Sequence, residues 1–261
     1  MTQKNSEPFG RKVDRRDFLG TVGSLGLIAG ADALPGGATT QDYGEPVRKL
    51  LANSEPMTWV ITGDSITQGA LHTFGWKSYP ELFAERVRWE LRRVRDIVIN
   101  TGISGDTSGG ILKETEWRIF RFHPHVTSLM FGTNDCVAGA TGRDAFRQNL
   151  NTLLDQIEAH KSLPILHAPN LIFYHNAPRR QDLLAYVEII RATAREREVL
   201  LVDHYAHWIE RHKDRPAELL YWLNDGSIHP NPCGHRELAN LMFKRLGIFD
   251  PNSRTCRLFV E

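Results

Sequence analysis

Cysteine is scarce in this 261-residue chain: Cys136, Cys233 and Cys256 are its three thiols. That is too few for a disulfide scaffold, and the odd count leaves one unpaired. Cys136 and Cys233 flank loops considered below, so a bridge between them stays open, although free buried thiols are the favoured reading. Charge of one sign is missing too. Against 32 Lys and Arg stand 31 Asp and Glu, a formal net charge of +1, so no basic nucleic-acid-binding surface is expected. The body of the chain lacks any run of about 18 apolar residues, so no membrane span is expected there. Two short signatures are also absent: the Gly-x-Ser-x-Gly elbow of one large hydrolase class, and the Gly-x-x-x-x-Gly-Lys-Ser/Thr phosphate cradle. "GDTSGG" supplies glycines but no lysine.

What is present has ordinary globular composition, 41% hydrophobic and 24% charged. That suits one α/β domain with a substantial core. The first forty residues differ. "RKVDRRDFLGTVGSLGLIAGADALPGG" runs from a basic start through a weakly apolar, Gly-rich stretch to small residues, which is signal-peptide anatomy. "DRRDFLG" resembles a twin-arginine export signal, with Arg15 and Arg16 as the pair, and "ADA" at 31–33 offers a cleavage point. The expected organisation is a signal peptide and linker (1–40), an N-terminal extension (41–56), a main domain (57–250) and a C-terminal tail (251–261). The expected location is periplasmic or secreted, membrane-tethered if the signal stays uncleaved, with the export machinery as a partner.

From residue 57, short β-branched runs alternate with helical segments. "TWVITGD", "DIVINTG", "VTSLMFG", "LPILHAP" and "VLLVDHY" are nearly continuously apolar, as parallel strands buried on both faces are. In "RDAFRQNLNTLLDQIEA" the residues Phe146, Leu150, Leu153, Leu154 and Ile157 recur at helical spacing. Phe83, Val87, Leu91 and Val94 form a similar stripe in "ELFAERVRWELRRVR", whose arginines, interspersed with Glu81, Glu85 and Glu90, read as a solvated face. Five strand–helix repeats with right-handed crossovers predict a three-layer αβα sandwich around a doubly wound parallel sheet. Ligands bind such sheets at the carboxyl ends of the strands.

The segments following the strands are therefore the informative ones. They read Gly63-Asp64-Ser65-Ile66-Thr67 after the first, "NTGISGDTS" (100–108) after the second and "FGTND" (131–135) after the third; "NDGSIHPN" (224–231) precedes the final helix. Acyl transfer needs such an inventory. A serine hydroxyl needs an imidazole to take its proton, and a carboxylate must fix that ring's tautomer. The oxyanion needs rigid donors, here the Ser65 and Gly105 N–H groups and the Asn134 side chain.

With these four blocks in order, the chain resembles the SGNH hydrolases, the GDSL-type esterases and lipases, over residues 57–247. The resemblance implies a flavodoxin-like five-stranded sheet, Ser65 as nucleophile, Gly105 and Asn134 as oxyanion donors and His229 as base, with no cofactor or metal. The family usually places its acid three residues before the histidine. Here Asp225 lies four before His229, with Gly226 to absorb the extra residue, and Asp225 is the assigned acid. Asp64, Thr67, Asp106, Thr107 and Asp135 read as caps and braces. His123 with His125, and His204 with His207, lack the companions of a zinc site and read as structural, as does His235. Trp76 and Trp222 are candidate substrate-stacking rings, with core packing an equal alternative.

The expected activity is serine esterase hydrolysis of short acyl esters, acetyl esters on carbohydrates among them. Two alternatives stand beside it: a lysophospholipase or thioesterase on the same triad, and a non-catalytic carbohydrate-binding module.

Overall fold

The computed structural model describes residues 43–69 and 72–257. The export-signal reading of residues 1–40 lies outside them. Five parallel strands form one sheet: β1 (Thr58–Gly63), β2 (Ile97–Asn100), β3 (Val126–Met130), β4 (Leu163–Ala168) and β5 (Leu200–Asp203), in the order β2-β1-β3-β4-β5. Trp59 of β1 pairs with Val98 of β2 on one side and Val126 of β3 on the other. This is the predicted doubly wound topology. Every residue of β3 is buried, whereas β2, open on its outer edge, leaves Ile97 55% exposed. Continuous apolar runs are needed only where helices cover both faces and strands flank both sides.

Helices α1 (Glu45–Ala52), α2 (Ser65–Gln68), α3 (Tyr79–Glu85), α4 (Ser108–Ile111), α5 (Thr115–Arg118), α6 (Arg143–Ala159), α7 (Leu183–Glu196), α8 (His204–His212) and α9 (Pro232–Arg245) complete the layers. Helices α6 and α7 pack together and onto β4, while α3 packs on α9. The stripe expected on α6 is buried in full. Each such side chain contributes about 2 kcal/mol of transfer free energy, an upper bound because unfolded chains already bury some of it.

The stripe expected after Phe83 is not continuous. Phe83 and Val87 are buried, but a π-type turn, Arg86–Glu90, follows α3 and closes with a bond from Leu91 N to Arg86 O. The wider turn rotates later positions off the core side, and Val94 is 54% exposed. Nor are the arginines simply a solvated face. Arg86 is buried, donating from Nε and Nη2 to Ile248 O and pairing with Glu90. Arg93 donates to the carbonyls of Leu51, Asn53 and Glu55 and pairs with Asp96.

Val47 of α1 is buried in the core. Ser253 Oγ donates to Glu90 at 2.5 Å and Thr255 N at 3.2 Å, so residues 253–255 are held against the helical layer. All three thiols are free, Cys136 and Cys256 buried and Cys233 half-buried. Among the described residues no helix is long and apolar enough to cross a membrane.

Candidate active site

The chain turns sharply where β1 ends. Asp64 caps α2 by accepting from Ile66 N at 2.9 Å, which puts Ser65 at the first helical position. Ser65 Oγ lies 2.9 Å from His229 Nε2, across 164 residues of sequence. On the far side of the ring, His229 Nδ1 lies 2.5 Å from Asp225 Oδ2. These partners assign the tautomer: Nδ1 carries the proton toward the carboxylate and Nε2 accepts from the hydroxyl.

The four-residue spacing is absorbed within the loop. Gly226 adopts φ +64, a left-handed conformation that costs glycine little. Asp225 Oδ1 then accepts from the N–H groups of Ser227, Ile228 and His229 at 2.8, 2.9 and 3.2 Å. Burial alone raises the Asp225 pKa, but the His229 ring and these three donors outweigh it and hold the carboxyl below the usual range. A permanent carboxylate thus faces the ring.

The loop carrying Gly105 is tied to the Ser65 turn. Ser104 donates from N and Oγ to Gln68 Oε1 at 2.8 and 2.7 Å, and Asn100 Nδ2 donates to Thr67 O at 2.8 Å. Gly105 has φ +82, and a Cβ there would meet nothing within 4 Å, so its backbone faces open space. Asn134 Nδ2 donates to Asp106 O at 3.0 Å, which brings the "GTND" loop against the same turn. Its Oδ1 accepts from Arg180 Nη2 at 3.0 Å. Ser65, Gly105, Asn134, Asp225 and His229 are thereby gathered at one end of the sheet. A cavity of about 620 Å³, lined in part by Leu51, Asp96 and Leu246, lies instead where β1 and β2 begin.

The bracing residues occupy their expected places. Asp135 Oδ1 accepts from Ser108 N and Oγ at 2.9 and 2.6 Å, and Oδ2 from Gly132 N at 3.0 Å. Thr107 caps α4, and Thr67 Oγ1 meets Tyr79 OH at 3.0 Å. Asp64 sits in deeper surroundings than a cap requires. Burial pushes its carboxyl up to about 7, against the lowering pull of the Ile66 N–H. His235 is buried, its Nδ1 accepting from Tyr79 N at 3.2 Å, and burial pushes its pKa down to about 3. His125 Nδ1 accepts from Thr58 N, His204 is buried against His167, and His207 meets Glu237.

The two tryptophans part company. Trp76 is 50% exposed beside a hollow of about 360 Å³ shared with Lys77, Glu85 and Pro232. The Trp222 ring packs edge-on against Trp208 and His212, at centroid distances of 5.0 and 4.4 Å. That is the core-packing alternative.

Three neighbours escaped the sequence reading. The His72 ring stacks on His229, with centroids 3.6 Å apart and planes 4° from parallel. Burial and the neighbouring His229 lower the His72 pKa, with Asp225 pulling the other way. Arg118 is buried and pairs with Asp106. Arg180 holds Asn134 from 46 residues away. None carries a local motif; only the chain's path brings each to the site.

Residues 61–237 match the model of the GDSL-like lipase/acylhydrolase family. An acetylxylan esterase of Geobacillus stearothermophilus is 28% identical over 212 residues, 72% of this chain and 93% of that one. Thioesterase 1/protease 1/lysophospholipase L1 of Escherichia coli K12 is 27% identical over 189 residues, 72% of this chain and 83% of that one. A shorter match, 31% identical over 122 residues, covers 45% of this chain and spans 14% of a Mycoplasma pneumoniae protein. Among solved structures, a variant of an acetyl xylan esterase from G. stearothermophilus superposes with a TM-score of 0.64 at 22% identity, covering 77% of this chain and 100% of that one.

Proposed function

This chain belongs to the GDSL-like lipase/acylhydrolase family and is a carboxylic ester hydrolase; we propose that it removes short acyl groups, acetyl esters of carbohydrates foremost, through an acyl-enzyme on Ser65. The observation that carries this reading is the continuous contact Ser65 Oγ–His229 Nε2 and His229 Nδ1–Asp225 Oδ2.

In the first half-reaction Ser65 Oγ attacks the ester carbonyl carbon while His229 Nε2 takes the hydroxyl proton. Asp225 steadies the resulting imidazolium without itself being protonated. The oxyanion is received by the Ser65 and Gly105 N–H groups and Asn134 Nδ2, each such donor being worth about 100-fold or more in rate. Collapse expels the alkoxide, which leaves with the proton from His229. Water then attacks the acyl-enzyme by the same proton path, releasing the acid and restoring Ser65.

The substrate class rests on two supports. A relative of 28% identity is an acetylxylan esterase, and Trp76 offers an exposed ring on which a sugar face can stack. The E. coli relative, a thioesterase and lysophospholipase by name, supports the second reading, a thioesterase or lysophospholipase on the same triad. Purified residues 34–261, assayed on p-nitrophenyl esters from acetyl to palmitoyl and on acetylated xylo-oligosaccharides, separate the two. Preference for acetyl, abolished by Ser65→Ala, is the expected result; equal turnover of palmitoyl esters favours the second reading, and activity intact in Ser65→Ala removes the mechanism.

The proposal extends to export, supported by the Arg15-Arg16 pair and the weakly apolar stretch after it. Replacing both arginines with lysine is expected to leave the protein in the cytoplasmic fraction. Unchanged fractionation counts against the twin-arginine route.

A further inference from the structure

The amide of Asn134 can serve an oxyanion only in one of its two orientations. Nδ2 carries two donors and Oδ1 none, so a half-turn about the last side-chain bond would present an acceptor to the developing negative charge. Something must fix the sense of that amide. Arg180, at the end of the short helical turn Pro178–Arg180, is placed to do so. Its Nε donates to Thr133 O at 2.9 Å and its Nη2 to Asn134 Oδ1 at 3.0 Å. One planar guanidinium thus holds both the backbone of the "GTND" turn and the amide oxygen of its key residue.

The opposite orientation is unfavourable at three points. It would turn the Nδ2 hydrogens against the guanidinium, a donor facing donors. It would also set Oδ1 against Asp106 O and Asp64 Oδ2, which now accept from Nδ2 at 3.0 and 3.5 Å. The Arg180 charge also draws electron density toward Oδ1, which leaves the Nδ2 hydrogens more positive.

We propose that Arg180 is a positioning residue that locks the Asn134 amide with Nδ2 toward the forming oxyanion. It acts through Asn134 and needs no contact with the substrate. The inference rests on the oxyanion role given to Asn134 above.

The test is a double-mutant cycle on the purified enzyme with p-nitrophenyl acetate, using Arg180→Met, Asn134→Ala and both together, with Arg180→Lys alongside. Arg180→Met is expected to lower kcat about 10- to 100-fold, part of the loss from deleting a donor outright, with KM nearly unchanged. The double variant is expected to be no slower than Asn134→Ala alone. Arg180→Lys keeps the charge but cannot hold both oxygens in one plane, so it should recover only part of the rate. It carries the same cycle should Arg180→Met fold poorly. Free guanidinium ion at millimolar concentration should speed Arg180→Met and leave the Asn134→Ala variant unmoved. Wild-type kcat in both Arg180 variants, or losses that multiply in the double variant, overturn the inference while leaving the mechanism standing. Wild-type kcat in Asn134→Ala overturns both, because the oxyanion role itself is then gone.

Discussion

The contact between Asp225 and His229 is where a single residue decides most. The carboxylate faces His229 Nδ1 with one oxygen and three backbone N–H groups of its own loop with the other. In Asp225→Asn the loop can keep its backbone bonds through the amide oxygen, but an NH2 group then faces the ring. That favours the tautomer with Nδ1 bare, which puts the proton on Nε2, where the Ser65 hydroxyl must deliver its own. The expected loss is about 10³- to 10⁴-fold in kcat with KM little changed. Steady-state kinetics on p-nitrophenyl acetate check it, and a loss under tenfold would mean that some other group orients His229. Asp225 was readable from sequence because its block, just before the final helix, completes an ordered set with three blocks that follow strands, where ligands of such sheets bind. His72, Arg118 and Arg180 were not. His72 lies in "HTFGW", a run that draws attention for its aromatic rings, and what matters is the stacking of its imidazole on a residue 157 positions later. Arg180 adjoins Arg179 in a loop where either could have been a solvent-facing charge.

Elements were legible to the degree that one face of each is uniform. The five-residue stripe of α6 is all core. The segment after α3 departs because a π-type turn shifts the repeat, and no composition signal marks it. The short helix α5 shows how an element of four residues can matter through one side chain. Arg118, only 3% exposed, donates from Nε and Nη2 to Thr101 O at 3.1 and 2.8 Å, reaches Thr62 Oγ1 at 3.3 Å and pairs with Asp106. It therefore ties the end of β1 to the loop that carries Gly105. Removing one partner from a buried pair leaves an uncompensated charge, so Arg118→Ala is expected to cost about 3–5 kcal/mol. Urea unfolding reads this directly. A cost below about 1 kcal/mol would place Arg118 among the exposed pairs, such as Lys49–Glu45, that contribute little.

At the scale of the molecule, the unusual feature is how many histidines the core holds uncharged. His167, His204, His212 and His235 are each at most 2% exposed. Ser128 Oγ contacts His167 Nε2 at 2.8 Å, and His167 Nδ1 contacts His204 Nε2 at 2.9 Å, with no carboxylate in that chain of contacts to favour a charged ring. Burial lowers all four pKa values, to about 3 for His167 and His235, to about 4 for His212, and well down for His204. The unfolded chain takes up protons on these rings below about pH 6.5 while the folded protein does not, so stability falls as the pH drops through that value. At pH 5 His167, His212 and His235 each cost about 2 kcal/mol relative to neutral pH, about 6 kcal/mol together, and His204 adds to the loss in the same direction. Asp64 works the other way. Raised to about 7 in the folded state, it takes up a proton on acidification before the unfolded chain does, and returns about 2 kcal/mol. Asp225, held low, removes stability only at more acid pH, as its unfolded counterpart begins to protonate. His167, His212 and His235 less Asp64 leave a loss of about 4 kcal/mol, a large part of the 5–15 kcal/mol that holds a typical domain together. Melting temperatures at pH 7, 6 and 5 should therefore fall steeply, and more steeply in Asp64→Asn, which lacks the opposing proton. A melting temperature that is flat or rises toward pH 5 would mean that the core accommodates charged imidazoles, and the uncharged state of these four rings would have to be abandoned.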